Sequence, residues 1–152
     1  MEDASVLHLE NQFCFPLYAV SRLTTKLYVP LLKEIDLTYP QYLVLLVLWE
    51  NDLQTVNEIG NCLVLESNTL TPLLKRLEQK KLIKRMRKKE DERIVTIALT
   101  EQGKALKNHA VSIPQKIASL FKNTGLTEED YGTFQQTLLK LLSTLKKETS
   151  KN

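Results

Sequence analysis

Glycine and proline are scarce, with 4 Gly and 5 Pro in 152 residues, and no stretch is of low complexity. That composition excludes a long flexible linker or a disordered tail, so the chain is expected to fold nearly end to end as one domain, residues 1–152. Only two cysteines occur, 48 positions apart (62 − 14). In a reducing compartment such a pair is not a structural disulfide, and each is judged as a thiol. The longest apolar run, residues 42–49, falls far short of the roughly 20 residues needed to span a bilayer. Met1-Glu2-Asp3-Ala4 is acidic where a secretion signal would be basic, so a cytoplasmic protein without a membrane partner is expected. There is no glycine-rich phosphate loop and no clustered acid, base and nucleophile. His8 and His109 lie far apart without ligand-spaced cysteines. Neither an enzyme, a metal site nor a cofactor is expected.

What is present is ordinary in bulk, 43% hydrophobic and 26% charged, but uneven in charge. Residues 75–93 carry ten Lys/Arg against four Asp/Glu, or +6. Residues 1–74 carry three against nine, or −6, and residues 94–152 eight against five, or +3, which restores the net +3. A basic block is often only a solvated face, so its surroundings decide what it means.

Leu17, Val20, Leu23, Leu27 and Leu31 recur at helical spacing, predicting a long first helix over about residues 7–35 with one buried face. Pro16 either delays its regular start to near Phe13 or kinks it. Thr38 with Pro40 opens a second, mostly buried helix ending at Trp49 or Glu50. Thr55 and Glu58 match a capping box for a short third helix to about Leu63. Ser67, Asn68 and Thr69 are candidate caps of a fourth, whose apolar face is Leu70, Leu73, Leu74 and Leu77. The short connection suits a helix-turn-helix, although the glycine often found there is absent. Alternation over residues 93–99 predicts a strand, with 83–87 as its partner and a polar tip between them. Thr100 caps a fifth helix carrying Leu106, Val111 and Ile117, which Pro114 should bend or interrupt. Thr127 caps the sixth, with Phe134, Leu138, Leu141, Leu142 and Leu145 on one side.

The fold class is therefore mainly α with a small β-hairpin wing at about residues 83–99. It is a winged helix-turn-helix, whose DNA-binding lobe spans 38–99, flanked by dimerisation helices at 7–35 and 100–149. A small winged domain has little need of such long flanking helices for its own core, which favours a homodimer. The fourth helix would enter the major groove. Ser67, Asn68, Thr69 and Thr71 suit bases or phosphates there, and Lys75 and Arg76 suit backbone phosphate. Capping alone is the plainer reading of Ser67 and Thr69, and both roles are compatible. In the wing, Arg87, Lys88, Lys89 and Arg93 would follow the DNA backbone, with Asp91 orienting Arg93. Two subunits would read double-stranded DNA with an inverted-repeat operator.

Leu70-Thr71-Pro72-Leu73-Leu74-Lys75-Arg76-Leu77-Glu78, Asp91-Glu92-Arg93 and Leu99-Thr100-Glu101-Gln102-Gly103 together resemble the MarR family of bacterial winged-helix regulators. Leu9-Glu10-Asn11-Gln12-Phe13-Cys14-Phe15, Leu17-Tyr18 and Leu37-Thr38-Tyr39-Pro40-Gln41-Tyr42 are similar to its organic-hydroperoxide (OhrR) branch and the related staphylococcal thiol-switch regulators. The resemblance implies a homodimeric repressor, or sometimes an activator, that releases DNA when organic hydroperoxide oxidises its N-terminal cysteine, here Cys14. It also implies two tyrosines that hydrogen-bond the thiol across the dimer, at positions matching Tyr28 and Tyr39. The residues are consistent with this: a helix start favours thiolate, and Phe13 and Phe15 would offer an apolar approach. Cys62, beside Leu63 and Leu65, is expected to be a small core residue. With no resolving thiol after it, Cys14 should pass from sulfenic acid to a mixed disulfide with a small thiol, or be overoxidised. Two other readings stay open: release by a small aromatic ligand, and a thiol peroxidase.

Overall fold

The computed structural model describes residues 4–87 and 94–149. They divide into two units, residues 1–112 and 113–152. In the first, two short 3-10 turns, Ala4–Leu7 and Leu9–Asn11, precede α1 (Cys14–Lys33). Of the two starts that Pro16 allowed, the helix takes the later one. Phe13 is its N-cap and Pro16 falls in the first turn, where the missing amide has no helical partner to lose. The preceding segment is held instead by side chains: Asn11 Nδ2 donates to the Ser5 carbonyl (2.8 Å) and Gln12 Nε2 to that of Val6 (2.7 Å).

The period of α1 is as expected, but its stripe is not buried in the chain. Leu17, Val20, Leu23 and Leu27 are 38–59% exposed, and only Leu32 of this helix is buried. The core lies elsewhere. In α2 (Tyr39–Glu50), Tyr42, Val44, Leu45 and Leu48 are buried, as is Gln41, whose Oε1 accepts the Thr38 amide of the N-cap (3.0 Å). Opposite them stand Ile59 of α3 (Val56–Leu63) and Leu70, Leu74 and Leu77 of α4 (Ser67–Gln79). The capping box at α3 forms as read. Glu58 N donates to Thr55 Oγ1 (3.2 Å), and Thr55 N to Glu58 Oε2 (2.7 Å).

The sheet has one strand more than the predicted hairpin. β1 (Gln54–Thr55), β2 (Ile83–Arg87) and β3 (Val95–Leu99) form an antiparallel sheet of order β1-β3-β2. Its registers place Gln54 against Ile97, Ile83 against Leu99 and Arg87 against Val95. A two-residue strand shows no alternation to read, which is why β1 escaped the sequence. The wing tip, residues 88–93, lies outside the described residues.

Thr100 caps α5 (Glu101–Ala110) by accepting the Gly103 amide (3.0 Å). Gly103 is required by contact, since a Cβ there would stand 2.0 Å from the Leu82 carbonyl oxygen. Its own carbonyl accepts Trp49 Nε1 at 2.9 Å. The predicted interruption near Pro114 is present: α5 ends, and α6 (Ile113–Phe121) begins with Pro114 as its second residue. The second unit comprises α6, a turn at Lys122–Thr124 and α7 (Glu128–Thr149). Thr127 caps α7 by accepting the Asp130 amide (3.1 Å), while Asp130 accepts the Thr127 amide (2.7 Å). No residue of α7 is buried. No described helix is long and apolar enough to cross a membrane.

Candidate functional site

The N-terminal residues of α4 differ from expectation in an informative way. The N-cap is Glu66, so Ser67, Asn68 and Thr69 are the first three helical residues rather than caps. All three are exposed. Among the described residues Thr69 Oγ1 pairs only with its neighbour Asn68 (3.2 Å), while Thr71 Oγ1 is turned back onto the Ser67 carbonyl (2.7 Å). Side chains not engaged in closing a helix are available to a ligand. Asn68, Lys75 and Arg76 lie on the face opposite buried Leu70, Leu74 and Leu77, and both cations are exposed.

The wing continues this surface. Arg87 closes β2 and is exposed, whereas Arg93 and Asp91 lie outside the described residues. Sequence reasoning missed the link between the two elements. The Glu78 carboxylate, near the end of α4, accepts both the Arg85 amide (3.1 Å) and Arg85 Nε (2.6 Å) on β2. That hydrogen-bonded guanidinium holds the Glu78 carboxyl below its ordinary range. A seven-residue separation across a turn has no periodic signature, so only the fold reveals the pair.

At the other end of the unit, Cys14 is the exposed first residue of α1. Phe13 beside it is 83% exposed and Phe15 39%. Tyr18 and Arg22 follow at steps of four on the same face, with the guanidinium 5.6 Å from the Tyr18 ring centre. Tyr28 and Tyr39 do meet, with ring centres 4.7 Å apart, and Tyr42 joins them 6.1 Å from Tyr28. Burial raises the hydroxyls of all three above their ordinary value, and for Tyr28 and Tyr42 their neighbours add to it. Cys14 is not part of this cluster within one chain. Fourteen residues of helix at 1.5 Å each put it about 21 Å from Tyr28 along α1. Cys62, expected in the core, is exposed near the end of α3; its helix turns Ile59 and Gly60 inward instead.

Helix-turn-helix α3–α4 with the hairpin β2–β3 defines a winged-helix protein. The profile of the SarA/Rot transcriptional regulators matches residues 26–110, and the chain belongs to this MarR-like family of winged-helix transcriptional regulators. It is 53% identical to the organic hydroperoxide resistance transcriptional regulator of Bacillus subtilis (strain 168), over 91% of this chain and 92% of that one. It is 42% identical to the regulator SarZ of Staphylococcus aureus (strain USA300), over 75% and 77% respectively. Among solved structures, reduced AbfR bound to DNA superposes with a TM-score of 0.78 at 41% identity, covering 98% of this chain and 99% of that one. AbfR is a protein of Staphylococcus epidermidis.

Proposed function

We propose that the chain is a homodimeric, DNA-binding transcription repressor that senses organic hydroperoxide through Cys14. The observation that carries this reading is Cys14 itself: an exposed thiol at the first position of a helix, flanked by exposed aromatics, in a chain 53% identical to a hydroperoxide-resistance regulator. The thiolate attacks the peroxide O–O bond, forming an S–O bond and releasing the alcohol once the alkoxide takes a proton. The sulfenic acid then condenses with a small thiol to a mixed disulfide and water.

In the reduced state two copies of α4 and of the wing engage an inverted-repeat operator. Ser67, Asn68, Thr69 and Thr71 lie nearest the bases; Lys75, Arg76, Arg87 and an Arg93 oriented by Asp91 lie on backbone and groove. The lobe 38–99 reads DNA, and the helices within 7–35 and 100–149 form the dimer. The exposed stripe of α1 and the wholly unburied α7 support the dimer, because both leave apolar area for a second copy to cover. The distance of Cys14 from Tyr28 and Tyr39 in one chain supports the partner's tyrosines as the thiol's hydrogen-bond donors.

Peroxide consumption separates this sensor from a peroxidase. Reduced protein, given excess cumene hydroperoxide and no added thiol reductant, should consume about one equivalent per chain to reach the sulfenic acid and at most about two more through overoxidation, and then stop. With a reductant present, sustained steady turnover at a rate proportional to protein would show an enzyme instead.

A further inference from the structure

Arg85 was not among the residues that the sequence marked for DNA. Its place in the fold singles it out. On β2, Ile83, Arg85 and Arg87 share one face by the two-residue period, and the Glu78 bond shows that this face is turned toward α4. Glu78 grips Arg85 by its main-chain amide and by Nε. The bond through Nε fixes the guanidinium plane and leaves its Nη hydrogens without a hydrogen bond among the described residues. Along α4 and β2 the chain carries the exposed cations Lys75, Arg76, Lys84 and Arg87, and Glu78 is the only carboxylate among residues 67–87. A planar, always charged fork with its Nη edge open matches the geometry of phosphate recognition.

We infer that Arg85 is a phosphate-binding residue at the junction of recognition helix and wing, held in its binding orientation by Glu78. This inference rests on the proposed DNA binding and deepens it. Glu78 is then a positioning residue, touching no DNA. Its carboxylate accepts from Nε and the main-chain amide, so it occupies none of the Nη hydrogens that would bond a phosphate oxygen, and it ties the placement of β2 to that of α4.

The test uses full-length reduced protein and a duplex selected by the wild type from a randomised pool, with affinity measured over a series of salt concentrations. Each phosphate contact contributes about 0.9 to the slope of log affinity against log salt. Arg85→Ala should lose about 0.9 of slope and roughly tenfold in affinity. Because that variant leaves Glu78 unpaired beside DNA, the double variant Glu78→Gln/Arg85→Ala is measured too, and should show the same lost slope. Arg85→Lys keeps the charge without the fork, so it should keep most of the slope while losing affinity. Glu78→Gln alone should weaken binding several-fold with the slope nearly intact.

A merely structural pair would lower the melting temperature and leave the slope at the wild-type value in every variant, and that result overturns the inference. If the wild type selects no duplex and binds DNA without specificity, the proposed function fails first, on a different observation.

Discussion

A phenol that is to donate a hydrogen bond to a sulfur anion must itself stay protonated. Tyr28 and Tyr39 meet that condition as any phenol does near neutral pH, and burial, which disfavours their charged forms, raises their hydroxyls further above the ordinary value near 10. The same shift has a consequence for stability. A folded-state value above the unfolded one means that the stabilising contribution is complete below pH 10 and is lost as pH rises through the folded value. The wild type should therefore lose stability more steeply above about pH 10 than Tyr39→Phe. Denaturant midpoints across that range check it, and equal slopes for both proteins would remove burial of Tyr39 as the cause.

At the scale of elements, the sequence was legible wherever a cap or a period spoke for itself. Thr55 with Glu58, Thr100 and Thr127 all start helices as read, and the two core strands lie in the expected places. The failures have physical causes. Ser67, Asn68 and Thr69 are good cap residues, yet the cap is Glu66 and the helix already begins at Ser67, which leaves their side chains without a capping role. The turn after α3 was doubtful for want of glycine. Val64 fills the left-handed position instead, at φ 56°, and Asp36, Leu53 and Lys81 do the same elsewhere. A left-handed valine costs on the order of 1–2 kcal/mol, which the packing of α3 on α4 must offset. With that strain already stored, the cap on the other end of α3 matters more. Thr55→Ala should cost about 1 kcal/mol, read as a lower melting temperature with an unchanged far-ultraviolet spectrum.

At the scale of the molecule, periodicity identified the apolar stripe of α1 correctly, but not what covers it. A helical period reports that a face is apolar, and is silent on whether its own chain or another copy buries it. The same gap explains Cys62, placed in the core by its apolar neighbours although α3 turns it outward. The charge block, by contrast, was legible as a surface: of its described members Lys75, Arg76, Lys81, Lys84, Arg85 and Arg87 are exposed, and Lys80 is half-buried. Leu23, 59% exposed in the chain, belongs to the face that a second copy should cover. Leu23→Glu should shift the protein from dimer toward monomer in sedimentation at micromolar concentration, with the fold of residues 38–99 retained. An unchanged sedimentation coefficient would remove α1 from the interface.

Cys14 and the reading elements α4 and β2–β3 lie in one unit, yet no bond among the described residues joins the thiol to them. Their connection is a matter of function, so a functional measurement decides it. The binding of a selected inverted-repeat duplex is followed for wild type, Cys14→Ser and Cys62→Ser, reduced and after cumene hydroperoxide. The account predicts that oxidation releases DNA from the wild type and from Cys62→Ser, that reductant restores binding after mild oxidation, and that Cys14→Ser stays bound throughout. Equal release from Cys14→Ser would contradict it.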